Sequence, residues 1–378
     1  MSQRLRLRFR IALLAVAGLF AVCGSIAAAG SPATRQPENA RVTGLPIVHI
    51  RQHPDALPVV AVVAQDTTVL SDFVVPYGVL AQSGAATVIA LNMTDHPLKA
   101  GPLTLLPDMT VAAFDKVYPD GADYVIVPAT ADKHAEETTW LRAQRAHGAA
   151  LVSICDGVEL LAEIGALDGR HATGHWASLG DRRKQYPQVA WLTNLRYVAD
   201  GDVASSAGVS AALPISLALV ETIAGPQTAH ATADRLGVAS WEAAHDSDMF
   251  KVLPTDRATH RANMRVKRED VVALQVQDDD DEVALSLHAE AWSRTMRNEV
   301  RLVSDTAGPV RLRGGLRVQA QATSSSTPDV RIVVAEAAPA GKAFPAAFDL
   351  IAQRYGSGTA RLSALGMEYP WGDLKAAR

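Results

Sequence analysis

The run Leu151-Val-Ser-Ile-Cys-Asp-Gly-Val-Glu-Leu-Leu161 constrains this chain more than any other. An apolar, β-branched stretch from Ala149 to Ile154 ends in Cys155. Asp156 and Gly157 follow, and a helical pattern begins at once with Val158, Leu161, Ala162 and Gly165. A strand that turns directly into a helix places the thiol on a sharp elbow. There the helix dipole and free N–H groups favour thiolate. The residues predict a reactive-cysteine site on an α/β scaffold.

The surrounding pattern supplies that scaffold. Val59 to Ala64 is a β-branched run, Val69 to Gln82 has helical spacing, and Ala86 to Leu91 is a second strand. Leu103 to Leu106 and Tyr124 to Val127 follow as strands, and Glu136 to His147 as an amphipathic helix. Strands alternating with helices predict a doubly wound parallel sheet, whose active site lies at the carboxyl ends of the strands. Trp191 to Tyr197 and Val203 to Ser205 read as further strands, and Gly208 to Ile223 as an apolar helix.

Residues 226–268 read as a polar connector, after which the pattern restarts. Val271 to Val276 resembles Val59 to Ala64, Glu282 to Arg294 resembles Val69 to Gln82, and Glu299 to Val303 matches Ala86 to Leu91. Arg313 to Val318 parallels Ala100 to Leu105, and Pro328 to Val334 parallels Ala122 to Pro128. Five elements in the same order predict a tandem duplication. Residues 269–378 then form a degenerate α/β half without a cysteine, packed on the half at 58–225.

Length and hydrophobic content (378 residues, 48%) are enough for more than one domain. The formal charge of −4, with no basic patch beyond the N-terminus, argues against nucleic acid as a partner. Arg4, Arg6, Arg8 and Arg10 precede an apolar run, Ile11 to Val22, and Ala27-Ala-Ala29 offers a cleavage site. Residues 1–29 therefore read as an export signal, with an uncleaved membrane anchor as the alternative and a lipoprotein at Cys23 as a weaker one. On this reading the chain is periplasmic or secreted. A leader occupies 30–57, and Cys155 is the one thiol left after cleavage.

The elbow continues as Leu160-Leu-Ala-Glu-Ile-Gly-Ala-Leu-Asp-Gly-Arg-His-Ala-Thr-Gly-His-Trp176. This resembles the ThiJ/PfpI superfamily, of class I glutamine amidotransferase-like fold, which reads "C-x-G … aGLLdGr-x-ATtHW" here. Ser71-Asp-Phe-Val-Val-Pro76 is similar to its "lD-x-x-x-P", Asp123 to Pro128 to the strand before its oxyanion loop, and Ser206 to Ala212 to its "gGG-i-s-A". The resemblance implies a flavodoxin-like sheet over about 58–225. It points to the branch of isocyanide hydratase and the sensor domains of AraC-type regulators.

It also assigns roles. Cys155 would be the nucleophile, Asp72 its acid/base partner across the cleft, and His175 a participant near the thiol, while the backbone N–H of Asp156 would donate to an oxyanion. Two departures bear on turnover. Asp156 stands where the protease-like branch has histidine, which argues against a peptidase. Ala129-Thr130 stands where the family commonly has two glycines, which bears on the Ala129 amide that completes the oxyanion hole. His171 has no match and reads as surface. Asp278 to Asp281 lacks the spacing of a calcium loop, and no Cys/His pair has zinc spacing, so neither metal nor cofactor is expected. Two functions stay open: cysteine-dependent hydrolysis or hydration of a small electrophile, or non-catalytic sensing of a small ligand or of redox state. The residues name no substrate and leave oligomerisation open.

Overall fold

Val59–Ala64 is buried along almost its whole length, and its alternation sets the layers around it. Val60, Val62 and Ala64 face one core, Ala61 and Val63 the other, so both faces of the strand are covered. The structure is a computed structural model that describes residues 56–266, 270–323 and 327–374. The predicted signal at 1–29, Cys23 and nearly all of the leader lie outside these.

The first half begins with β1 (Val59–Ala64), α1 (Leu70–Ser83), β2 (Thr87–Asn92), the hairpin β3 (Leu98–Ala100) and β4 (Leu103–Leu106), and β5 (Met109–Thr110). Then come α2 (Val111–Val117), β6 (Tyr124–Val127), α3 (Ala135–Ala146), β7 (Ala150–Ser153) and α4 (Val158–Glu163). It closes with β8 (His171–Ala172), α5 (Leu179–Gln185), β9 (Ala190–Trp191), β10 (Tyr197–Asp200), β11 (Val203–Ser206) and α6 (Ala212–Leu236). The sheet order is β10-β11-β7-β6-β1-β2-β5, parallel throughout except for β10. This is the flavodoxin-like, doubly wound arrangement, and its order reverses at β1 and β6.

The segment read as an irregular connector is partly helical. Gly225, at φ 81°, kinks α6, and Pro226 then opens a further helical stretch that runs to Leu236. Proline is tolerated where a helix restarts, because that N–H has no partner to lose. A second helix, α7 (Pro254–Arg265), also falls within it.

Next come β12 (Asp270–Gln275), α8 (Glu282–Ser293), β13 (Asn298–Ser304), β14 (Gly308–Arg311), β15 (Arg317–Ala322) and β16 (Val330–Val333). Strand order β16-β12-β13-β15 repeats β6-β1-β2-β5, and the registers repeat too: Val59 pairs with Thr87 and Val271 with Glu299. Two helices, α9 (Ala340–Tyr355) and α10 (Ser357–Gly366), stand where the first half has β7, the elbow and β11.

The halves meet about a local two-fold. β4 pairs antiparallel with β15, and Leu105 lies opposite Val318, its counterpart in the repeated pattern. Helices α1 and α8 are buried from Leu70 to Leu80 and from Glu282 to Trp292, and one core runs through both halves. Contact is close at Gly78, where an added Cβ would stand 2.7 Å from side-chain atoms of Glu282 and Val283. Asp281, from the acidic run, caps α8 by accepting from the amides of Val283 and Ala284.

Two outcomes test this packing. Gly78→Val is expected to destabilise the protein by about 1–3 kcal/mol through overpacking. Gly180→Ala, in open space on α5, should stabilise it by about 0.4–1 kcal/mol. Chemical denaturation measures both. His288 of α8 is buried with neither ring nitrogen hydrogen-bonded, and burial pushes its pKa down to about 4. The folded protein then holds the neutral ring while the unfolded chain takes up a proton below about 6.5, so stability falls as pH drops from about 6.5 towards 4. The loss from this residue is on the order of 3 kcal/mol. The His288→Leu variant should lack that part of the acid limb.

Candidate functional site

β7 delivers Cys155 to the carboxyl edge of the sheet. Its φ of 57° lies in the left-handed region, which costs a non-glycine residue energy and sharpens the turn. A single 3₁₀ turn, Cys155–Gly157, passes directly into α4. Gly157 makes this fit, because a Cβ there would sit 2.1 Å from the Val127 carbonyl oxygen. Ile154 donates to that same oxygen at 3.0 Å, and the Cys155 amide donates to Ser206 Oγ at 3.4 Å. The elbow is pinned between the ends of β6 and β11.

The thiol on this elbow is not activated. Burial is the largest influence and pushes its pKa well up; the charges of Asp72 and Asp156 push the same way. A hydrogen bond from the Asp156 amide and the Arg294 guanidinium pull it down less strongly. The magnitudes agree with this order. A helix terminus contributes about 0.3–1 kcal/mol to a nearby charge, whereas full burial opposes the charged form by up to about 4–7 kcal/mol. The neutral thiol wins.

Asp72, in the first turn of α1, is fully buried. Burial pushes its carboxyl well above the usual range, and Glu290 adds to this, against Arg294 and the Ala129 amide. Its Oδ2 accepts from the Ala129 N–H at 3.3 Å, while Oδ1 has no partner. Burial thus favours the neutral form of this carboxyl. Of the two backbone donors named for an oxyanion hole, that of Ala129 is engaged by Asp72.

Asp156 itself is neutralised. Arg182 Nη1 lies 2.8 Å from its Oδ1, Ser178 Oγ also donates to that oxygen, and the Arg182 guanidinium stacks 5.1 Å from the Trp191 ring centre. His175 caps the turn at Trp176–Ser178, where its Nδ1 accepts from the Ala177 amide at 3.3 Å. Burial pushes its pKa down, and the neutral ring leaves Nε2 buried without a partner. His171 is exposed and meets Asp200 at 3.0 Å.

Several contributors were not named from the sequence. Arg294 Nε bonds Glu290 Oε1 at 2.8 Å, and Glu290 Oε2 accepts from the Ser71 amide and hydroxyl at 3.3 and 3.2 Å. Both come from the second half and reach the neighbourhood of Asp72 and Cys155 because α8 packs on α1. Nothing in their local pattern sets them apart from helix-surface charges. Arg182 sits in the charged run Asp181-Arg-Arg-Lys184, which also reads as solvated. Among the described residues, no group of three or more His, Cys, Asp or Glu side chains is placed to hold a metal ion.

Comparison with known proteins places this geometry. Residues 59–222 match the DJ-1/PfpI family. The HTH-type transcriptional regulator CdhR of Pseudomonas aeruginosa is 39% identical over 90 residues, which cover 24% of this chain and 26% of that protein. For the HTH-type transcriptional regulator ArgR of the same organism the identity is 34% over 91 residues, or 24% and 27% of the two chains. The chain thus spans about a quarter of the length of these relatives. Drosophila melanogaster DJ-1beta aligns at 22% identity and a TM-score of 0.44, covering 49% of this chain and 100% of that one. An AraC family transcriptional regulator from Pseudomonas putida aligns at 21% and 0.43, covering 47% and 98%.

Two expectations are corrected by these relatives, which are named as HTH-type transcriptional regulators. Nucleic acid is not excluded as a partner. Net charge weighs only the residues it sums, and an assembly that acts on DNA need not carry phosphate contacts on every domain. Export to the periplasm or beyond is likewise overturned. It rested on the composition of residues 1–29 alone, whereas the matched relatives are named as HTH-type transcriptional regulators. Residues 59–222 of the chain form a DJ-1/PfpI family domain.

Proposed function

We propose that this chain is a regulatory protein whose DJ-1/PfpI domain senses a small ligand, and that it does not turn over a substrate. The observation that carries the reading is the buried Cys155, whose pKa burial pushes well up, beside an Ala129 amide already engaged by Asp72. Hydrolysis or hydration through cysteine needs a thiolate and free donors aimed at the developing charge. A sensor needs neither. It needs a shaped polar site whose occupancy shifts a conformational equilibrium. Asp72, with Oδ1 unpartnered and its carboxyl pushed by burial towards the neutral form, and the Arg294 guanidinium would give such a site one polar group and one cation. The similarity to transcriptional regulators supports the regulatory output. Redox sensing is the weaker version, because oxidation follows thiolate character and burial suppresses it here.

On this reading residues 58–225 form the sensing half, and 269–378 a degenerate second half that completes the site with Glu290 and Arg294. His175 then acts in the architecture around the thiol and not as a base.

Alkylation of Cys155 by iodoacetamide against pH tests the reading. The wild type should react slowly, with its inflection above the ordinary thiol value of about 8.5. In Asp72→Asn the inflection should move down, since a carboxylate that opposes thiolate is gone. A wild-type inflection well below about 8.5 would restore the nucleophile and overturn the sensor. Cys155→Ala should also keep a ligand-induced rise in Tm across a panel of small metabolites. Such stabilisation reaches about 2.7 kcal/mol at a hundred times Kd.

A further inference from the structure

A second polar site lies on the far side of His175, and the chain fills it with its own residue. Glu368 follows α10, is fully buried, and holds a φ of 55°. Its Oε2 accepts from the Gly208 amide at 2.8 Å and the Trp176 amide at 3.1 Å. Its Oε1 lies 3.0 Å from His245 Nε2 and 3.5 Å from Ser247 Oγ. Every one of these partners comes from outside the C-terminal segment. Two backbone amides from separate loops of the DJ-1/PfpI domain thus converge on one oxygen, and two side chains on the other.

The fit is tight on all sides. A Cβ at Gly208 would stand 2.6 Å from Glu368 Cβ, 2.7 Å from His175 Cδ2 and 2.8 Å from Glu368 Oε2. The His175 ring therefore lines the same space, and its Nε2 is buried there without a partner. A carboxylate in this position brings strong acceptors to N–H groups that nothing else would satisfy. The rest of the segment is held by fewer and more ordinary bonds: Ser210 N to Met367 O at 3.1 Å, Ser210 Oγ to Glu368 O at 2.6 Å, and Trp176 Nε1 to Leu365 O at 3.1 Å. Tyr369 packs edge-on against Phe344 of α9, and Trp371 edge-on against Phe348. The left-handed backbone at Glu368 is a cost accepted at the point where the carboxylate enters.

We propose that Trp176, Gly208, His245 and Ser247 form a carboxylate-binding site that docks the C-terminal segment by taking Glu368 as an internal ligand, and that with the Glu368 side chain removed the same site accepts a small monocarboxylate. The recognition is that of a carboxylate and not of a bulkier anion. Two oxygens are each addressed by their own pair of donors, and His175 and the Glu368 side chain leave no room for a third substituent. The site makes no use of Cys155, so it stands or falls apart from the sensor reading.

Chemical rescue tests it. Glu368→Ala removes the carboxylate and leaves the amides and His245 in place. Acetate should raise the Tm of this variant saturably. Chloride at equal ionic strength should not, and the wild type should respond alike to both salts. If the variant does not fold in buffer, refolding in acetate should recover folded protein that chloride does not. Failure of acetate in both measurements, or an equal response in the wild type, would overturn the site and leave Glu368 as a structural cap alone. Repeating the titration in Cys155→Ala keeps the two readings distinguishable, because the acetate response should be unchanged there.

Discussion

Helix α1 packed against α8 is the contact on which the rest of this molecule depends. Each helix is buried on nearly every side, so neither half has a complete core alone. Gly78 lets the later turns of α1 lie close on the first turn of α8, and at the other end of the pair Ser71 meets Glu290. That approach carries Asp72 out of water and sets Glu290 and Arg294 beside it. The thiol inherits the consequence. Burial and the neighbouring carboxylates Asp72 and Asp156 push the pKa of a cysteine on this elbow up, and Arg294, at the end of a helix more than a hundred residues away in sequence, only partly offsets them.

The electrostatics follow from how few cations face these buried acids. Asp156 has Arg182, and Glu290 has Arg294, each at hydrogen-bonding distance. Asp72 has only a backbone amide and one unpaired oxygen. An unpaired carboxylate in a dry interior neutralises itself by keeping its proton, since that costs far less than leaving the charge buried. The elbow and the oxyanion loop thereby change character together. Asp72 holds the Ala129 amide, and the amide so held is not free for a reacting oxygen.

Local signals in the chain were the legible ones. The alternation at Val59 to Ala64, the apolar run into Cys155 and the glycine that must follow it are all decided within a few residues, so periodicity and turn chemistry report them. The restart of the pattern at Val271 was visible for the same reason. What stayed hidden depends on pairs distant in sequence. Glu290 and Arg294 look like ordinary i,i+4 helix charges until α8 is laid on α1. Glu368 looks like part of a tail until the loops at Trp176 and Gly208 close on it. The helical stretch after Gly225 was missed because a kinked glycine followed by proline reads as an end, although it also opens the next helical segment. Net charge and the apolar N-terminus misled for a different reason: composition records no neighbours at all.

Arg294 ties the two buried sites together. Its Nε side holds Glu290, which in turn holds Ser71 beside Asp72, while Nη1 reaches the Gly366 carbonyl at 3.4 Å, two residues before Glu368. The same guanidinium lowers the pKa of Asp72, Cys155 and His175 through its field. A ligand that drew Arg294 toward Cys155 would have to loosen Glu290, Gly366 or both, because a planar fork has a fixed set of directions to share. Loss of the Gly366 contact would free the residue pair that leads into the Glu368 carboxylate. On the proposed sensor reading, occupancy beside the thiol and attachment of the C-terminal segment would be competing claims on one buried cation. Such a competition gives a two-site coupling without any catalytic step.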